Sequence, residues 1–138
     1  MTRGGWLALA SVSAAILGAD ARAESLEGTA AVLQGLDKVT ARVSRFEAPV
    51  GHTVAFNRLR ITVRACRKRP PEEPPESAAF LEIDDVHPNG EIKRVYSGWM
   101  FASSPAIAAM EHPVYDVWVI DCRVPELAPP TPPAQPRR

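Results

Sequence analysis

The 138-residue sequence is poor in the features that usually declare a chemistry. Its two cysteines, Cys66 and Cys122, are too few for a zinc-spaced cysteine and histidine set. No G-x-S-x-G occurs to place a nucleophilic serine. Neither sign of charge is in excess: 16 basic residues stand against 16 acidic ones, so no global field draws the chain to nucleic acid. The long apolar run, Trp6 to Ala19, falls short of the roughly 20 residues that a membrane-spanning helix needs. Aromatic residues make up 7% of the chain, so each large ring is wanted first for the core.

That apolar run follows Arg3 and ends at Ala21-Arg22-Ala23, which together have the charged start, apolar middle and small-residue cleavage site of a secretory leader. Export is expected to remove residues 1–23 and leave Glu24 as the mature N-terminus. No Arg-Arg pair precedes the run, and no cysteine lies near the cleavage site to carry a lipid. The expectation is a soluble periplasmic chain without transmembrane segment or lipid anchor. Loss of Arg3, Arg22 and Asp20 leaves it within about one charge of neutrality.

Leu59, Ile61, Val63 and Ala65 alternate with Arg60, Thr62, Arg64 and Cys66, the two-residue repeat of a strand with one face on a core. Val54 to Phe56 precedes it across Asn57-Arg58, and Asn tolerates the left-handed conformation of a tight turn, so 53–66 reads as a hairpin. Val39, Ala41 and Val43 alternate with Thr40, Arg42 and Ser44, predicting a strand that ends before Pro49, and Thr29 to Leu33 suggests an earlier one. Ala79 to Val86 and Ile92 to Tyr96 flank His87-Pro88-Asn89-Gly90, a second hairpin signal. Val114 to Cys122 is apolar on both faces, which predicts a central or doubly covered strand.

Ser104 as cap, Pro105 at the first helical position and a run to Met110 predict one helix of about two turns. About seven short strands with one short helix indicate a mostly β fold, a small sandwich or barrel. After the leader, the expected organisation is a lead-in at 24–28, a single β domain over 29–124 and a disordered proline-rich tail over 125–138.

An exported chain with two cysteines has one obvious pairing, Cys66 with Cys122, and closing so long a loop stabilises by roughly 4 kcal/mol. Cys66 shares a face with Arg60, Thr62 and Arg64, which predicts a bridge on the sheet surface. In the stretch that follows, Pro70-Pro71 and Pro74-Pro75 hold the connection extended, and Arg67, Lys68 and Arg69 are balanced by Glu72, Glu73 and Glu76, a solvated stiff connector.

Candidate chemistry is sparse, and nothing implies a cofactor or metal. Glu82 and Asp84 fall on one strand face and Asp85 and His87 on the other, which divides that acidic cluster as a cation site. Glu111, His112 and Asp116 are the titratable groups that a hydrolase of glycan or peptide could use, if they converged. Trp99 and Phe101 share a strand face and, with Tyr115, Glu111 and His112, form the candidate partner-binding segment: either core aromatics or a stacking platform for a sugar or proline.

Cys66 with "RPPEEPPESAAFLEI", then "SGWMFASSPA" and "EHPVYDVWVIDC", resembles the secreted, chiefly alphaproteobacterial family catalogued as domain of unknown function 2155, over roughly residues 29–124. The resemblance implies an exported single-domain protein of a Gram-negative envelope with both cysteines at the family's positions, and it brings no activity or ligand. Asn57-Arg58 stands where similar sequences tend to have glycine, which leaves the hairpin reading intact. The expected function is a non-enzymatic binding or assembly module for an unknown envelope protein or glycan; the alternative is the hydrolase.

Overall fold

The computed structural model describes residues 24–128, so the expected leader and residues 129–138 of the expected tail lie outside the described residues. Eight strands carry the fold: β1 (Leu26–Glu27), β2 (Ala30–Asp37), β3 (Arg42–Pro49), β4 (Thr53–Phe56), β5 (Leu59–Lys68), β6 (Ser77–Val86), β7 (Ile92–Phe101) and β8 (Tyr115–Arg123). One antiparallel sheet runs β1-β5-β6-β7, with β4 also paired to β5, and the other runs β3-β2-β8. The result is the expected mostly β fold, two sheets around one core with a Cys66–Cys122 disulfide between them.

Alternation explains the core. Leu59, Ile61 and Val63 of β5 and Ala79, Leu81 and Ile83 of β6 face Ala31 and Leu33 of β2 and Val117 and Val119 of β8, all buried in one cluster. Each large aliphatic side chain so buried stabilises by about 1.5–3 kcal/mol. The Asn57-Arg58 hairpin forms as read, with Phe56 opposite Leu59 and Asn57 at a φ of 51°. In the second hairpin the Asn89 side chain accepts the Glu91 N–H at 3.0 Å.

Four local expectations change. The first half of the alternation over Val39 to Ser44 is a turn: Asp37 Oδ1 accepts the N–H groups of Val39 (2.9 Å) and Thr40 (3.1 Å), Ala41 takes a φ of 56°, and β3 begins only at Arg42 and includes Pro49. The two-turn helix is one 3-10 turn, Pro105–Ala108, and Ser104 makes no side-chain cap. The apolar last strand, β8, lies at an edge of its sheet, its Trp118 side half-covered along the 3-10 turn by Pro105, Ala106 and Ala109. Cys66 is buried, not on the wet face.

The cause of the last change is a bulge. The β5–β6 register shifts between Val63 and Ala65, so Arg64 is an extra residue and every side chain after it changes face. A matching shift in the β2–β8 register makes Ile120 extra and turns Cys122 inward. The two cysteines, with Cα atoms 5.8 Å apart, thus meet between the sheets. Gly28 crosses directly over them: its N–H donates to the Cys66 carbonyl at 2.8 Å, and a Cβ there would lie 3.0 Å from Cys122 Cβ and 3.2 Å from Cys66 Cβ. Leu26–Glu27, within the expected lead-in, pair with Lys68 and Arg67, and Pro125–Leu127 form a second 3-10 turn.

Candidate functional site

On the solvent side of the larger sheet, the alternation that buries Met100 turns Trp99 and Phe101 outward. Trp99 lies opposite Phe80, and the two rings meet edge to face at 5.6 Å. Phe101 lies opposite Ala78 in the adjoining row. Trp99 is 38% exposed and Phe101 37%, too much for core residues. Beside these rings runs a charged ladder in which Arg64 donates to Glu82 at 2.8 Å and Arg94 pairs with Asp84. The Tyr96 hydroxyl sits 3.0 Å from the carbonyls of both Trp99 and Ala108, so it anchors the 3-10 turn beside this end of β7. Burial there raises the Tyr96 pKa.

Glu111, His112 and Tyr115 do not join that surface. Glu111 is exposed on the loop before β8, while His112 and Tyr115 are buried and stack at 5.3 Å. The His112 Nδ1 accepts the N–H groups of Val114 and Tyr115, each at 3.0 Å, so the Nε2–H donates to Asp85 Oδ2 at 2.9 Å. Both ring nitrogens are occupied, and neither is free to take a proton from a substrate. Asp116 faces away, 4.0 Å from Lys38, whose ammonium donates to the His112 carbonyl at 2.8 Å. The three groups of the hydrolase reading therefore do not share a cavity.

What His112 does is hold Asp85, which sequence reasoning divided from its neighbours without seeing its role. Arg58 grips the same carboxylate with two bonds, 3.0 and 2.7 Å, and lies over the Tyr115 ring. These Arg58 bonds hold the Asp85 pKa down to about 2 against the upward push of burial, with His112 adding to them. The signal was present: Asp85 falls in phase with Ala79, Leu81 and Ile83, an acid on the apolar face of a strand.

At the proline-rich connector, Glu76 is the working acid. Its carboxylate accepts the Ser77 N–H at 3.0 Å, the Ser103 N–H at 3.1 Å and the Ser103 hydroxyl, joining the β5–β6 and β7–β8 loops. Burial pushes its pKa up, but the Ser103 and Ser77 bonds outweigh that and leave it lowered. Asp121 likewise accepts from Lys68 (2.7 Å), Ser77 (3.1 Å) and the Cys122 N–H (2.8 Å). Shallow clefts of about 320 and 370 Å³ flank the Lys68–Asp121 pair.

Residues 31–122 match the family described as "Uncharacterized protein conserved in bacteria", domain of unknown function 2155. The chain belongs to that family. A protein of Rickettsia prowazekii (strain Madrid E), itself described as uncharacterised, is similar at 24% identity over 87 residues, 63% of this chain and 56% of that relative. The chain thus spans just over half the length of the curated relative it matches. No solved structure matches it. The matched span of this family domain holds both cysteines, the Asp85 cluster and the Phe80–Trp99–Phe101 face. Among the described residues no group of three or more histidine, cysteine or acidic side chains is placed to hold a metal, and no helix is long and apolar enough to cross a membrane.

Proposed function

We propose that the chain is an exported periplasmic module of the cell envelope that binds a partner without catalysing a reaction, through the solvent face of β6 and β7 around Trp99 and Phe101. The observation that carries this reading is the exposure of two large rings, 38% and 37%, on a sheet face whose opposite side supplies the core. An apolar centre of Phe80, Trp99 and Phe101 rimmed by Arg64, Glu82, Arg94 and Asp84 has the composition of a recognition surface. Flat exposed rings suit a sugar ring or a proline-bearing segment, hence an envelope glycan or protein. The leader pattern and the oxidised cysteine pair support an oxidising compartment. Hydrolysis by Glu111, His112 and Asp116 has less support, since His112 is fully engaged by Asp85 and the backbone.

The test of the surface uses the mature chain carrying Trp118→Phe, in which Trp99 is the sole tryptophan. Its emission is expected to be red-shifted and freely quenched by acrylamide. Photo-crosslinkers at Trp99 or Phe101 should trap an envelope component that one at Val39 does not, and Trp99→Ala should weaken that component's binding with little change in melting temperature. Shielded, blue-shifted emission, or equal adducts at Val39, would sink the surface. Localisation is tested separately by intact mass of the periplasmic fraction: a species beginning at Glu24 is expected, and a membrane-bound species retaining Met1 would overturn it.

A further inference from the structure

The β3 strand is a long edge with no bulge in its pairing to β2, from Arg42 through Pro49. The Val50 N–H donates to the Thr29 carbonyl at 2.9 Å, which fixes the hydrogen-bonding phase: the even-numbered residues of β3 exchange backbone bonds with β2, and Val43, Arg45 and Glu47 direct their N–H and C=O groups away from it. Pro49, next in that outward phase, gives its carbonyl to the His52 N–H at 3.1 Å, so the free side of β3 is the side of β4. Three consecutive outward donor and acceptor pairs are a template for another strand.

The space beside them is open. Phe46 and Ala48 pack toward the core, and by parity Arg42 and Ser44 face the same way, yet both are exposed because the sheets part at this end. Arg42, Ser44, Thr40, Asp37 and Asn57 line a cleft of about 660 Å³ with Phe56 at its floor. Among the described residues, the edge's two arginines are the charged groups left without a partner. Asp37 Oδ1 is occupied by two turn amides and Glu47 by Arg123 at 2.7 Å, whereas Arg42 and Arg45 make no ion pair among the described residues.

We propose that this edge is a docking site for an extended acidic peptide segment, which adds to β3 as a further strand in the cleft beside β4. The segment's backbone pairs with Val43, Arg45 and Glu47, while carboxylates on its two faces meet Arg42 in the cleft and Arg45 outside it. The site is separate from the aromatic face, and Trp99→Ala leaves it intact.

The test follows amide hydrogen exchange in the mature chain with two blocked synthetic peptides, one repeating Val-Glu-Glu-Thr so that carboxylates fall on both strand faces, and the other with Lys in place of Glu. The acidic peptide should slow exchange at Val43, Arg45 and Glu47 by about tenfold or more, and the lysine peptide should not. Val43→Pro removes an outward N–H and no bond to β2, so it should weaken binding by about tenfold with the fold retained. Replacing both Arg42 and Arg45 by Glu should transfer preference to the lysine peptide, a result that does not depend on the strand tolerating proline. No protection at millimolar acidic peptide, equal protection by both peptides, or protection that appears with rising protein concentration alone, which would make a second copy the occupant, each overturns the proposal.

Discussion

At one end of the sandwich the Cys66–Cys122 bridge, the Lys68–Asp121 pair and the Glu76 carboxylate tie β5, β6, β8 and the β7–β8 loop together. At the other, β3 stands away from β4, and the buried carboxylate of Asp85 draws Arg58 and His112 onto itself. The first end is closed by covalent and local polar bonds where the core runs out. The second is held by one charge cluster and leaves an edge uncovered. An edge can stay open without loosening the domain because the cluster fixes the β4–β5 turn, β6 and the segment leading into β8, and asks nothing of β3.

The contrast can be broken from either side. Cys66→Ser or Cys122→Ser should have the largest effect, a loss of about 4 kcal/mol in urea unfolding of the oxidised protein. If two thiols per chain of the unreduced, unfolded protein react with a maleimide, the bridge is absent and this end must be explained otherwise. Asp85→Ala should cost about 3 kcal/mol, because it strips a buried histidine N–H and a guanidinium of their acceptor. The same cluster carries a pH signature. The folded pKa of about 2 lies below the unfolded value, so the stabilisation is complete above about pH 5, fades as pH falls toward 2, and amounts to about 2 kcal/mol. A pH-stability curve unchanged by Asp85→Asn would refute that assignment.

Gly35→Ala sharpens the view of the open end. A Cβ at that position would sit 2.6 Å from the Phe56 ring, so the ring must leave its place over β2, at a cost of about 1–3 kcal/mol and a reshaped cleft floor. At the closed end Glu76→Ala should cost about 1 kcal/mol by thermal unfolding. Among the described residues its neighbours Glu72 and Glu73 carry no bond of this kind, and Ala at either should shift stability by under about 0.5 kcal/mol. Equal effects at Glu72 and Glu76 would mean that the loop-to-loop brace contributes nothing.

Strand periodicity, turn chemistry and the count of cysteines were enough to read the β class, both hairpins and the disulfide partner. What they could not supply were the interruptions. Extrapolating the alternation from Leu59 put Cys66 on the wet face because nothing in "VRAC" announces that Arg64 is a spare residue. Val39, Ala41 and Val43 looked like a strand because alternation over so few residues arises by chance, and the Asp37 side chain with the Ala41 backbone overrules it. Ser104 and Pro105 read as a helix start, but a single 3-10 turn forms, and its Ala108 carbonyl accepts from the Tyr96 hydroxyl of β7, a partner outside any local pattern. At the site, Trp99 and Phe101 were singled out by aromatic density and a shared strand face; that this face is the outward one follows from the inward packing of Met100. Arg58 and Asp85 went unpaired because 27 residues separate them and only the β5–β6 register brings them together.

The two bulges give the disulfide a second meaning. Arg64 and Ile120 each lie two residues before a cysteine, and without either bulge that thiol would turn to the opposite face of its sheet. A chain that has slipped by one residue in either ladder cannot bring its sulfurs together, so oxidation proofreads the register of both sheets at once: only the correctly threaded molecule is sealed. In an oxidising compartment, misthreaded copies would remain as free thiols, open to repair by exchange or to removal, while the native form drops out of that traffic.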